Sequence, residues 1–309
     1  MTASERPLDG RAALITGGGS GIGLACARWL LRDGASVTLA GRSEQRLRGA
    51  ADGLEADASE GATVRWAVCD VAREADVAEA VAIACESTGA LTIAVASAGT
   101  GTIGPVIATP IEAWELVMAT NLTGAFVTIK HAGAAIARSG GGAIVAISSI
   151  AAPLTHLYMA AYCVSKAGLE TLVRNAADEL KQAGVRVNAV RPGLVPTELA
   201  TPLVDDEKVE ADYLAQMPLG RLGTVDDVAA GVRYLCGPES SWVTGQCLAI
   251  DGAGIRCGEG RTSSTGPALC MAMGRSTDES PRTERFRQFE RPLRVFKLHE
   301  IREGLAGFH

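Results

Sequence analysis

Tyr162 and Lys166 stand four residues apart in Ala161-Tyr162-Cys163-Val164-Ser165-Lys166-Ala167. On a helix that spacing puts both side chains on one face, a turn apart. A free phenol loses its proton near pH ~10. A neighbouring ammonium favours the phenolate and lowers that value. A tyrosine brought closer to neutrality is a usable general acid and base. Spacing alone favours a blander reading, a core tyrosine beside a snorkelling lysine. What moves the reading towards chemistry is the company the pair keeps. Ser149 ends an apolar run, residues 142–149, that reads as a strand. In open α/β sheets ligands sit beyond the carboxyl ends of strands, so Ser149 is well placed, although a lone serine there also suits a cap or turn. Asn121 falls inside a helical stretch, residues 110–137, among Met118, Leu122 and Phe126. A buried amide there must be hydrogen-bonded. Local satisfaction and a solvent-facing side chain are the alternatives.

These groups need a scaffold, and the chain opens on one. Residues 11–16 read as a short buried strand, residues 24–32 as a helix, and Gly17-Gly18-Gly19-Ser20-Gly21-Ile22-Gly23 joins them. Strand, glycine turn and helix form the context of a phosphate-binding loop. Glycine lets the backbone approach a pyrophosphate closely, and the helix N-terminus offers free N–H groups. The spacing is G-x-x-x-G-x-G, and a purely structural loop is the alternative. A second strand, Ser36–Gly41, ends about 20 residues on, where a dinucleotide's adenosine ribose is read. A carboxylate there would favour NAD(H). This chain has Gly41 followed by Arg42, and a guanidinium suits a 2′-phosphate. The expectation is NADP(H), with NAD(H) possible; Arg42 could instead simply solvate the next helix. An oxidised nicotinamide would add its positive charge to that of Lys166 beside the phenol.

Further along, residues 43–58 read as a charged amphipathic helix and residues 64–69 as a third strand. Asp70-Val71 follows, where a carboxylate could accept from the adenine amino group or cap the helix that starts near Arg73. Residues 91–97 form a near-continuous apolar run, as a doubly covered parallel strand should, and Ala98-Gly99 leaves room beside it for the cofactor. The catalytic pair opens a helix over residues 160–183, preceded by a loop in which His156, Tyr158 and Met159 are candidate contacts. Residues 185–190 are a sixth strand, broken by Arg191-Pro192-Gly193. Residues 194–197, with Val195 and Thr197, would run over the cofactor. Residues 198–217 read as a mobile helical flap over the substrate. A helix, Val225–Cys236, and a seventh strand, Cys247–Ile250, complete the pattern.

Composition narrows the classes. The chain has 309 residues, net charge −6 and 47% apolar residues. The acidic balance argues against nucleic acid as partner. No apolar run is long enough to span a membrane, and the polar N-terminus does not read as a signal peptide. The eight cysteines form no C-x-x-C pair and read as small buried hydrophobes in a reducing, cytoplasmic compartment, not as disulfides or a metal site. Residues 256–309 hold ten basic and seven acidic residues and four of the five phenylalanines. That shift marks a boundary between residues 1–255, a single dinucleotide-binding catalytic domain, and a C-terminal extension that is linker-like before a small docked segment.

Taken in order, Thr16-Gly17-x-x-x-Gly21-Ile22-Gly23, Cys69-Asp70-Val71, Asn121, Ser149, Tyr162-x-x-x-Lys166, Arg191-Pro192-Gly193 and the closing Thr244-Gly245-Gln246 to Asp251-Gly252 resemble the short-chain dehydrogenase/reductase family, including its 3-oxoacyl reductase-like members. The resemblance covers residues 9–255. It implies a doubly wound, Rossmann-type α/β fold with seven parallel strands and helices on both faces. It also implies hydride transfer between nicotinamide and a carbonyl or secondary alcohol, here of an apolar or acyl-type substrate, and a homotetramer or homodimer. By the same resemblance Tyr162 is the general acid/base and Ser149 polarises the substrate oxygen. Lys166 binds the nicotinamide ribose and lowers the Tyr162 pKa, and Asn121 holds a water in the proton relay. The family's usual Asn-Asn-Ala-Gly is here Ala96-Ser97-Ala98-Gly99, which implies altered local bonding but not lost activity. A non-catalytic dinucleotide-binding sensor or scaffold is the rival reading.

Overall fold

The computed structural model describes residues 6–205 and 207–253. Seven parallel strands form one sheet in the order β3-β2-β1-β4-β5-β6-β7. They are β1 Ala12–Thr16, β2 Ser36–Gly41, β3 Val64–Val68, β4 Ile93–Ala96, β5 Gly142–Ile147, β6 Val185–Pro192 and β7 Cys247–Ile250. The order reverses between β1 and β4, so their carboxyl ends diverge and leave a crevice, the switch point of such sheets.

Alternation along each strand assigns the two faces. Ala13 and Ile15 of β1, with Val37, Leu39, Val95 and Val145, pack under α1 (Gly21–Arg32), α2 (Glu44–Glu55) and α9 (Val225–Cys236). Leu14, with Ala94, Ile144 and Val187, packs under α3 (Glu74–Glu86), α5 (Gly124–Arg138) and α6 (Ala160–Leu180). Both faces are covered, which is why the strands read as unbroken apolar runs. The doubly wound α/β expectation is met.

The local differences from expectation are instructive. The single helix expected over residues 110–137 is α4 (Ile111–Met118), a π-turn over Ala119–Thr123, and then α5. Gly124 follows the π-turn because a Cβ there would lie 2.6 Å from Val71 Cγ2. Strand β6 runs through Arg191 and Pro192, pairing them with Ala249 and Ile250 of β7, so the break falls at Gly193 and not at Arg191. The expected flap is three short pieces, a 3₁₀ turn over Glu198–Ala200, α7 (Thr201–Val204) and α8 (Glu207–Ala215). Leu194, Ala200 and Met217 make its small core. The extension expected beyond residue 255 lies outside the described residues.

Candidate active site

The glycine turn is shaped by what cannot fit. Gly17 has φ +68, and a Cβ on it would sit 2.8 Å from the Ala98 nitrogen. A Cβ on Gly23 would run into the Gly17 carbonyl oxygen. The Ser97 hydroxyl lies against Gly23, 3.2 Å from where its Cβ would be, and the Ser97 N–H donates to Thr16 Oγ1 at 3.2 Å. The backbone N–H groups of residues 97 and 98, both on Thr16 Oγ1, thus fasten the end of β4 to the turn, whichever side chain stands at 97. Ser20 is the N-cap of α1 but makes no side-chain capping bond. Ser20 and the first residues of α1 line the cleft, and a helix N-terminus offers free N–H groups to an anion.

At the end of β2, Gly41, Arg42, Ser43 and Arg46 line the same cleft. Ser43 Oγ caps α2 by accepting from Arg46 N–H, 3.4 Å. Arg46, which the sequence reading passed over, reaches across to Glu198 with Nη1 to Oε2 at 2.7 Å. Its signal was available: a second arginine one turn after Arg42 on a surface helix. Asp70 does not cap α3. The N-cap is Arg73, while Asp70 Oδ1 accepts from Ala72 N–H at 3.0 Å and Asp76 Oδ2 accepts from the Asp70 N–H at 3.1 Å. Asp76, inside the first turn, ties the strand end to the helix.

The reactive groups converge beyond β5. Ser149 and Lys166 are buried, and the Ser149 hydroxyl hydrogen-bonds the Tyr162 phenol. Ser149 Oγ also accepts from Ala151 N–H at 3.1 Å, which fixes its rotamer. Lys166 Nζ donates to the Ile147 carbonyl at 2.7 Å and stands 5.6 Å from the Tyr162 ring centre. Burial pushes the lysine down to about 8. Burial also pushes the Tyr162 phenol up, with the Ser149 hydrogen bond pulling the other way. The expected lowering of the phenol is therefore not produced by the protein alone: desolvation outweighs the Ser149 hydrogen bond.

Asn121 is buried and does not line the cleft; its neighbour Thr120 does. Its Oδ1 accepts from Thr100 N–H at 2.8 Å, and its Nδ2 donates to Thr100 O at 2.9 Å and Ser165 Oγ at 3.1 Å. Ser165 in turn donates to the Tyr162 carbonyl at 2.7 Å. The Asn121 side chain is thus committed to protein groups. A second network went unseen in the sequence. Ser148 Oγ donates to Glu170 Oε1 at 2.8 Å, and Arg191 closes on the same carboxylate with Nε at 2.6 Å and Nη2 at 2.5 Å. It pins the ends of β5 and β6 to α6, next to Ser149 and Tyr162.

All of these ends open on one cleft of about 1130 Å³, larger than a site for a single small ligand. Its lining includes Gly17, Ser20, Gly21, Ile22, Gly23, Arg42, Asp70, Val71, Ala98, Gly99, Ser149, Tyr162, Lys166, Pro192, Gly193, Val195 and Thr197, so the expected catalytic and cofactor-binding residues meet there with the exception of Asn121. Of the candidate contacts in the loop before α6, His156 and Met159 line it and Tyr158 does not, and Leu194 lines it as well. Leu199, Leu203 and Tyr213, from the segment after Thr197, were not anticipated individually.

A family model described as enoyl-(acyl carrier protein) reductase matches residues 17–254. A short-chain type dehydrogenase/reductase from Mycobacterium ulcerans superposes with a TM-score of 0.78 at 39% identity, over 81% of this chain and 91% of that one. The chain belongs to the short-chain dehydrogenase/reductase family. Two other similar members were solved with cofactor. A gluconate 5-dehydrogenase from Burkholderia cenocepacia, in complex with NADP and tartrate, has a TM-score of 0.76 at 32% identity, covering 82% of this chain and 98% of its own. A 7α-hydroxysteroid dehydrogenase complexed with NADH and 7-oxo glycochenodeoxycholic acid has a TM-score of 0.76 at 30% identity, covering 82% and 97%. This short-chain dehydrogenase/reductase is accordingly an NAD(P)-dependent oxidoreductase that moves a hydride between nicotinamide and a carbonyl or secondary alcohol. The sensor reading is set aside. The bare-backbone cradle of Gly17 and Gly23, beside the uncapped start of α1, fits a nicotinamide dinucleotide.

Proposed function

We propose that this enzyme is an NADP(H)-preferring carbonyl reductase or alcohol dehydrogenase in which Tyr162 is the general acid/base. The convergence of Ser149, Tyr162 and Lys166 on one cleft end, with Arg42 and Arg46 at the other, carries the reading. The dinucleotide, when bound, supplies or accepts the hydride. Gly17 to Gly23 cradle its pyrophosphate, and Val195 and Thr197 cover it. Ser149 steadies the substrate oxygen and Tyr162 gives or takes its proton. Lys166, close to neutrality in pKa, reloads the phenol and binds the ribose. Asn121 acts by position: it braces Thr100 and, through Ser165, the Tyr162 turn of α6. Arg42 and Arg46 hold the 2′-phosphate, for which guanidinium forks are suited.

Ile103, Met159, Leu199 and Leu203 give the substrate an apolar body. Exposed Leu116, Phe126 and Val164 on α4, α5 and α6 support a homodimer or homotetramer built on those helices. Six unpaired cysteines among the described residues fit a reducing, cytoplasmic setting. No helix among the described residues is long and apolar enough to cross a membrane. Residues 1–255 form the catalytic unit in this reading, and a chain cut after residue 255 should retain turnover.

The deciding experiment is cofactor oxidation over a carbonyl panel. Tyr162→Phe should lose turnover by about 10³-fold while still binding NADPH. Equal rates in both proteins would end the assignment. Arg42→Ala and Arg46→Ala should each weaken NADPH binding about tenfold and leave NADH almost unchanged. Tighter NADH than NADPH binding by the wild type would overturn the preference.

A further inference from the structure

At the adenosine end of the cleft, one of the two guanidiniums suited to a phosphate is already held by a carboxylate. Arg46 Nη1 lies 2.7 Å from Glu198 Oε2, and both residues line the cleft. The other acid in the lining, Asp70, accepts instead from the Ala72 N–H at 3.0 Å. Arg46 belongs to α2, and Glu198 opens the segment that runs towards the substrate end. The bond thus joins two parts of the wall that lie 152 positions apart in the chain.

The glycine turn sets the geometry of that bond. A Cβ on Gly19 would lie 3.6 Å from Arg46 Cβ, and a Cβ on Gly21 would lie 3.5 Å from Thr197 Cγ2. The stem of Arg46 therefore rests against the turn just before Ser20, and Thr197 rests against it just after. The Arg46–Glu198 bond closes a ring through Gly19, Arg46, Glu198, Thr197 and Gly21. Each side of the ring is anchored in its own element. The Arg46 N–H donates to Ser43 Oγ at 3.4 Å, and the Thr197 carbonyl accepts from the Ala200 N–H at 2.9 Å and the Thr201 N–H at 3.1 Å.

Magnitudes decide which anion keeps Arg46. Both side chains of the pair are more than half exposed, and an exposed ion pair changes an equilibrium only by a small factor. A phosphate monoester carries about −1.5 to −2 charges and three acceptor oxygens, and a guanidinium fork can take it through two parallel bonds. Glu198 brings a single charge. A 2′-phosphate arriving beside Arg42 therefore wins Arg46 from Glu198, whereas a dinucleotide without that phosphate leaves the pair intact.

We propose that Glu198 is a cofactor-discriminating residue: it occupies Arg46 in the empty enzyme, must be displaced by the 2′-phosphate, and so lowers the preference for NADP(H) over NAD(H). Specificity is a difference between two affinities, and a residue that opposes one ligand sets it as surely as one that favours the other. This rests on the reading above in which Arg46 receives the 2′-phosphate.

The test is calorimetry on the full chain with two probes that lack nicotinamide, adenosine 2′,5′-bisphosphate and 5′-AMP. Glu198→Gln, a nearly isosteric change at an exposed position, should bind the bisphosphate about threefold tighter than the wild type and 5′-AMP equally well. The gain should shrink at about 0.5 M KCl, where exposed charges are screened. In an Arg46→Ala background Glu198→Gln should bring no gain, because the pair it breaks is already gone. Unchanged bisphosphate affinity in Glu198→Gln, an equal gain for 5′-AMP, or a gain that survives Arg46→Ala overturns the proposal. Failure of the NADP(H) reading looks different: the wild type then binds the bisphosphate no tighter than 5′-AMP. If Glu198→Gln creates a bisphosphate preference in that case, the proposal stands without the reading. If it creates none, or if neither probe binds, both fall.

Discussion

The two ends of the cleft are built on different principles. The cofactor end is mostly backbone: Gly17 and Gly23 leave no volume for a side chain, and Ser20 caps α1 without spending its hydroxyl. The substrate end is side chains on short pieces, from the strained loop at Tyr158 to the broken segment over Glu198–Ala200, α7 and α8. Backbone geometry tolerates almost no substitution, whereas side chains on short elements can be exchanged while the scaffold stands. In the function proposed above, one end keeps the cofactor constant and the other sets which alcohol is read.

Substitutions can break that contrast. Gly23→Val forces a side chain into the Gly17 carbonyl and should abolish cofactor binding, with a stability loss of several kcal/mol, on the order of the larger single-site effects. Calorimetric binding and thermal unfolding would both show it, and a folded, cofactor-binding Gly23→Val would erase the distinction. Glu170→Ala leaves Arg191 without its buried carboxylate and should lower stability by about 3 kcal/mol. Because Ser148 loses its acceptor too, turnover should fall more than cofactor affinity.

Lys166→Met sharpens the contrast through sign. The folded-state pKa of Lys166, about 8, lies below its ordinary 10.5 because of burial. Between those values the unfolded chain binds the extra proton, so the burial penalty is complete below pH 8 and relieved as pH rises towards 10.5. Lys166→Met should therefore melt higher than wild type at pH 7, lose turnover, and show a shrinking thermal advantage from pH 8 to 10. A gain that grows with pH would refute the assignment. The smallest effect belongs away from the cleft. Thr224→Ala removes the capping box with Asp227 that starts α9 and should cost about 1 kcal/mol in denaturant unfolding with kinetics unchanged.

The same contrast explains what could be read from the chain. Strands covered on both faces announce themselves as apolar runs, and the glycine turn does so by composition, so the fold and the turn that opens it were legible. Helical periodicity carries no mark of one extra residue, so the π-turn at Asn121 read as continuous helix. The Ser148–Glu170–Arg191 network joins residues from three elements, and nothing local in sequence links them. A helix cap was one of the two readings of Asp70 because the rule sees residue type before a helix, whereas Asp76 reached back from inside it. Tyr213 lies in a mixed polar segment whose spacing gives no hint that α8 turns it inward.

The π-turn over Ala119–Thr123 also constrains the length of the chain. One residue added to an α-helix rotates everything after it by about 100°, so an insertion is normally removed or absorbed in a loop. Here both halves of the helix depend on it: α5 meets Val71 through Gly124, and Asn121 meets Thr100 and Ser165. A one-residue deletion between Ala119 and Thr123 would regularise the helix and turn one set of contacts away from its partners. The irregularity is a length the chain cannot give up without losing one of those sets of contacts.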